Sequence, residues 1–92
     1  MRDVVRKRII FYCWVQGVGF RYRAMRAANM VGATGWVRND YEGSVTMEIQ
    51  GTEEQIDQAI QAIERGRYVR IDEMRVRTIP VDPNEYGFDM KY

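Results

Sequence analysis

The sequence predicts an α+β fold in which two helices cover one face of a mostly antiparallel sheet. Segments with strand-like and helix-like apolar spacing follow one another as β-α-β-β-α-β, and a further alternating segment closes the chain. Glycines stand between these segments at the points where the period changes. The 92 residues, 46% of them apolar, suffice for one core and leave nothing for a second, so residues 1–92 read as one domain.

The first strand is expected at Lys7 to Val15, where Ile9, Ile10, Phe11, Tyr12, Trp14 and Val15 put apolar side chains on both parities. That pattern suits a central strand covered on both faces. Gly17 and Gly19 interrupt the run, and from Phe20 the spacing becomes helical. Phe20, Ala24, Ala27 or Ala28 and Val31 share a stripe, with Arg21, Arg23 and Arg26 largely off it.

Gly32 ends this helix, and Thr34 to Asn39 reads as a short second strand. The turn-rich Asp40-Tyr41-Glu42-Gly43 then leads to alternating Val45, Met47 and Ile49, so the second and third strands form a hairpin. Thr52 with Gln55 forms a capping box, and Glu53 and Glu54 suit the first helical turn. Ile56, Ala59, Ile60 and Ile63 repeat at helical spacing up to Gly66. Met74, Val76 and Thr78 mark a fourth strand, Pro80 and Pro83 bracket a connection, and Tyr86, Phe88, Met90 and Tyr92 alternate as an extra edge strand. This order is the split βαβ, or ferredoxin-like, arrangement.

Composition narrows the chemistry. Fourteen Lys and Arg against thirteen Asp and Glu leave a net charge of +1, so no global field recruits nucleic acid or an acidic membrane. With no histidine and one cysteine, Cys13, there is no His-containing metal set, no His-based triad and no internal disulfide. No window approaches the roughly 20 apolar residues that span a bilayer, and the N-terminus lacks a signal-like apolar stretch, which together predict a cytoplasmic protein.

The loop between the first strand and the first helix carries the sharpest signal. Two glycines let consecutive backbone N–H groups converge at a helix N-terminus, a concavity suited to a phosphate-sized anion. Arg21 follows in the first helical turn, poorly placed for the helix dipole but well placed to reach an anion in the loop. The spacing is neither that of a Walker A loop nor that of a dinucleotide fingerprint.

Val15-Gln16-Gly17-Val18-Gly19-Phe20-Arg21 resembles the acylphosphatase signature almost letter for letter, and Gly35-Trp36-Val37-Arg38-Asn39 resembles that family's second block. The resemblance extends to the turn at residues 39–43, to Gln50-Gly51 and to Phe88-Asp89-Met90-Lys91-Tyr92. It implies metal-independent hydrolysis of acyl phosphates to a carboxylate and inorganic phosphate, by a monomer with no cofactor and no nucleic-acid partner. The backbone amides of Val15, Gln16, Gly17, Val18, Gly19 and Phe20 would bind the phosphoryl group with Arg21, and Asn39 would orient the attacking water. The loop and the end of the second strand must then lie side by side, as neighbouring strands, with Arg21 and Asn39 facing one shallow pocket.

The chain departs from the family where a Gly-Arg pair usually precedes the Val-Gln, since Cys13-Trp14 stands there. Both residues are expected to be structural. Asp40 is expected to cap the turn and not to face the anion. Three alternatives are weighed against plain hydrolysis. One is carbamoyl-phosphate handling, as in the domain that opens the large hydrogenase-maturation carbamoyltransferases. Another is a phosphate-binding module without turnover. The third is an RNA-binding module of the same topology, whose aromatic-flanked glycine motif this chain lacks.

Overall fold

The structure, a computed structural model, describes residues 3–15, 19–66 and 69–91; the side chains of Trp14 and Val15 also lie outside the description. Its elements are β1 (Val5–Val15), α1 (Phe20–Val31), β2 (Thr34–Asn39), β3 (Val45–Gly51), α2 (Glu53–Glu64), β4 (Val69–Ile79) and β5 (Phe88–Lys91). The strands form one five-stranded sheet in the order β4-β1-β3-β2-β5, antiparallel except where β2 and β5 pair in parallel. This is the ferredoxin-like arrangement with the added edge strand.

The core lies between the helices and one face of the sheet. Ile9, Phe11, Val37, Met47 and Ile49 from the strands are buried against Phe20, Ala24 and Ala28 of α1 and Ile56, Ala59 and Ile63 of α2. Helix α2 starts on the expected capping box. Thr52 accepts a bond from the Gln55 amide, and the Gln55 side chain accepts one from the Thr52 amide. Helix α1 ends at Gly32, whose φ of 81° puts it in the left-handed region that closes helices. Gly35 is also obligatory: a Cβ there would stand 1.9 Å from the Glu48 carbonyl oxygen, so β2 meets β3 closely only without a side chain.

Three features differ from the sequence reading. First, β1 is central, but the helices cover only one of its faces, and on the other, among the described residues, segment 80–87 buries only Arg6. That open face carries Arg8, Ile10 and Tyr12, and there the cationic side chains do the covering. The Arg75 guanidinium lies 5.3 Å from the Tyr12 ring centroid, while Arg38 and Lys91 lie 5.2 and 4.4 Å from that of Trp36. Second, β4 begins at Val69, well before Met74. Tyr12 pairs with Glu73 and Cys13 with Ile71, so Asp72 is an extra residue in the ladder. The bulge slips the two-residue period, which hides Val69 and Ile71 from an alternation that starts at Met74. Third, β5 begins at Phe88. Gly87, with φ of 76°, breaks the extended run, and Tyr86 is fully exposed; Tyr92 lies outside the described residues.

The segment 80–87 runs from β4 to β5 past the strands between them, and buried polar groups hold it. Arg6, only 5% exposed, donates to Glu48 of β3 (Nη2–Oε1 2.9 Å), to Gln50 (Nη1–Oε1 3.1 Å) and to Glu85 (Nη1–Oε1 2.6 Å and Nη2–Oε2 3.0 Å). The Thr34 hydroxyl donates to Glu85, and the Gln50 side chain exchanges two bonds with the Asp82 backbone. These contacts fix where β5 starts, and the Gly35 amide donating to the Gly87 carbonyl (3.0 Å) sets it beside β2.

Candidate active site

Strand β1 ends and α1 begins at the end of the sheet where β2 finishes. In the ladders, Phe11 of β1 faces Val45 of β3, and Val45 faces Asn39 of β2. The Phe20 ring packs on that of Phe11, with centroids 4.9 Å apart and planes at 55°. The first turn of α1 is therefore anchored over one end of this row and Asn39 lies at the other, two strand spacings or about 10 Å away. One expectation is corrected here: β1 and β2 are not neighbours, because β3 lies between them. β3 begins only at Val45, level with Asn39 at the end of β2.

Arg21 reaches sideways from α1 to the far edge of the sheet. Its Nη1 donates to the Lys91 carbonyl of β5 at 3.0 Å, and Lys91 pairs with Arg38, the residue before Asn39. A cation in the first helical turn and an amide at the end of β2 are thus tied to adjacent strands. The two helix starts differ. Thr52 and Gln55 close the N-terminus of α2, whereas the N-cap of α1 is Gly19, which has no side chain to cap with, and the first turn of α1 holds no acid. Gln16, Gly17 and Val18 lie outside the described residues.

Asn39 is exposed and lines a surface depression of about 490 Å³ with Tyr12, Arg38, Asp40 and Thr46 among others. Arg21 is not part of that lining; Gly19 instead lines a larger cleft along α1. The backbone brings Arg21 and Asn39 to one end of the sheet without one depression lined by both. Sequence reasoning missed the Lys91 carbonyl. The signal available for it was the alternation of Phe88 and Met90, which indicated a strand but not its neighbour.

A family model described as Acylphosphatase matches residues 7–90. The chain belongs to the acylphosphatase family. An acylphosphatase of Oceanobacillus iheyensis is 39% identical over 80 residues, covering 85% of this chain and 88% of its own. One of Geobacillus thermodenitrificans is 36% identical over 88 residues, covering 95% and 94%. The crystal structure of acylphosphatase from Bacillus subtilis superposes with a TM-score of 0.85 at 28% identity, over 96% of this chain and 99% of that one.

The two departures from the acylphosphatase pattern that the described residues cover have structural roles. Asp40 lies just past the end of β2, where it closes the turn. It accepts from Arg38 Nε (3.2 Å), Ser44 Oγ (2.9 Å) and Thr46 Oγ1 (2.6 Å), and its backbone bonds Ser44 and Gly43. Cys13 is half-buried against the core, and burial, with a smaller effect of Asp72, raises its thiol pKa, which keeps it protonated and a poor nucleophile. Among the described residues, no three His, Cys, Asp or Glu side chains gather as metal ligands do, and no helix is long and apolar enough to cross a membrane.

Burial alone would raise the Asp40 pKa, but the bonds from Thr46, Ser44 and Arg38 outweigh it and hold the carboxyl below its ordinary value. A carboxyl depressed in the folded state contributes stability above its unfolded pKa of about 3.9 and loses it as pH falls through the folded value. In urea unfolding followed from about pH 6 to about pH 2.5, wild type should therefore lose stability faster below about pH 4 than Asp40→Asn does. Parallel pH profiles would show that the turn network does not depend on that charge.

Proposed function

We propose that the chain hydrolyses the carboxyl–phosphate bond of acyl phosphates, releasing a carboxylate and inorganic phosphate. The backbone amides from Val15 to Phe20 and the guanidinium of Arg21 bind the phosphoryl oxygens, and the side-chain amide of Asn39 holds the attacking water. The observation that carries this reading is the uncapped start of α1, with Arg21 in its first turn held against the strand beside Asn39.

The chemistry asks little more of the protein. The water oxygen forms the new bond to phosphorus, the bond from phosphorus to the acyl oxygen breaks, and its electron pair leaves on the carboxylate. The water proton passes to a phosphoryl oxygen, so no strong protein base is needed. Fixed donors that neutralise the phosphoryl oxygens and place the water supply the catalysis. On this reading, one domain acts as a monomer on a small substrate in the cytoplasm, with no nucleic-acid partner.

The test is hydrolysis of benzoyl phosphate by the purified chain, with and without a chelator. Turnover unchanged by the chelator is expected. Phosphate binding without turnover would instead make the chain a binding module, and chelator-sensitive turnover would contradict the mechanism.

A further inference from the structure

Helix α1 presents a second functional flank. Positions 21 and 23 are about 200° apart around a helix, and their contacts agree: Arg21 reaches β5, whereas Arg23 lies against the end of α2. A Cβ on Gly66 would stand 2.6 Å from Arg23 Nε. On the α2 side a cleft of about 790 Å³ runs from Gly19 along the helix, within the size range of small-molecule sites. Ala27 of α1 and Ala62 of α2, both small, are part of its lining. Among the described residues, its charged lining is Arg23 and Arg26, both cationic, and Asn29 adds an amide. Tyr22, with the Arg26 guanidinium 6.0 Å from its ring centroid, and the largely exposed Met30 supply apolar surface.

The cleft therefore begins at the last residue of the phosphate loop and leads away from Asn39. In phosphoryl transfer the attacking and leaving oxygens lie roughly in line through phosphorus. With water held on the β2 side, the acyl group leaves on the opposite side, toward α2. Arg23 and Arg26 lie about 6 and 10 Å beyond Gly19 along the helix axis, within reach of the far end of a short acyl chain.

Resting on the hydrolytic reading above, we infer that this cleft is the acyl-group subsite and that it favours acyl phosphates whose acyl chain ends in a second anion. Arg26 is the specificity-determining residue at its outer end, and the lining alanines accept the methylene chain.

The test compares succinyl phosphate with butyryl phosphate, which have the same chain length with and without a terminal carboxylate. The readout is the ratio of their kcat/KM values, which is insensitive to the fraction of enzyme folded. In wild type the ratio is above one. In Arg26→Glu it falls by about fivefold or more, as expected when a favourable exposed charge contact becomes a like-charge contact, and Arg26→Gln lies between. A wild-type ratio below one, or one that neither variant changes, overturns the subsite. Hydrolysis of neither substrate overturns the underlying reading as well.

Discussion

Asn39→Ala is expected to lower kcat for benzoyl phosphate by about 10² to 10³ while leaving KM within about threefold of wild type, the pattern of an interaction made mainly in the transition state. Asn39 is exposed at the end of β2, paired with Val45, and its neighbours on the same face, Val37 and Gly35, form the packed part of the strand. Removing its amide should leave fold and phosphate binding in place and take away only the group that places water. Arg21→Ala should behave differently. On the proposed reading it removes a phosphoryl ligand in ground state and transition state alike, so KM should rise and kcat fall together. Steady-state kinetics of the two variants, with inhibition by inorganic phosphate as a measure of anion affinity, separates the roles. An Asn39→Ala enzyme at full rate would remove this residue from the mechanism.

Arg6→Met is expected to cost about 3 to 5 kcal/mol of folding stability, because it takes the buried cation from Glu85 and leaves Glu48 only the more exposed Arg8 at 3.7 Å. The side chains of Glu48 and Glu85 are only 15% and 12% exposed, so water can replace the guanidinium only in part. For a chain of this length, the lower end of that cost corresponds to a fall in Tm on the order of 15 °C. The same network anchors segment 80–87 and so positions β5, whose Lys91 carbonyl holds Arg21. Loss of catalytic efficiency should therefore accompany loss of stability. Adding Glu48→Gln and Glu85→Gln to Arg6→Met should recover part of the stability by removing the two carboxylate charges that lost their buried cation. Thermal unfolding of the single and triple variants tests this; a single variant within about 1 kcal/mol of wild type would place Arg6 among ordinary surface ion pairs.

Local chemistry made the elements readable in the sequence, and long-range pairing limited how far that reading went. The capping box at Thr52, the helix stop at Gly32 and the apolar stripe of α1 are decided by neighbours in the chain, and each stands where the sequence puts it. The start of β4 was hidden because Asp72 is a bulge, defined only by the register against Tyr12 and Cys13. Apolar residues on both parities of β1 suggested two covered faces, but arginines from β4 and β2 and the lysine of β5 shield the aromatics of the open one. The order of the strands set β3 between β1 and β2, which no local pattern encodes.

The site divides in the same way. Arg21 and Asn39 were picked out by residue type and by resemblance, and their placement at one end of the sheet follows from the fold. One partner of Arg21 is a backbone carbonyl some seventy residues away, and a carbonyl has no sequence signature. Arg6 carried no signal either, since a lone arginine in a strand acquires meaning only when Glu48, Gln50 and Glu85 converge on it.

The most direct test of the account is hydrolysis of benzoyl phosphate in ¹⁸O-labelled water, with both products examined by mass spectrometry. If, as proposed, Asn39 places water against a phosphoryl group held in the loop, water attacks phosphorus, so the label should appear in inorganic phosphate and the benzoate should carry none. Label in the benzoate would mean attack at the acyl carbon, and would contradict a site built around the phosphoryl group.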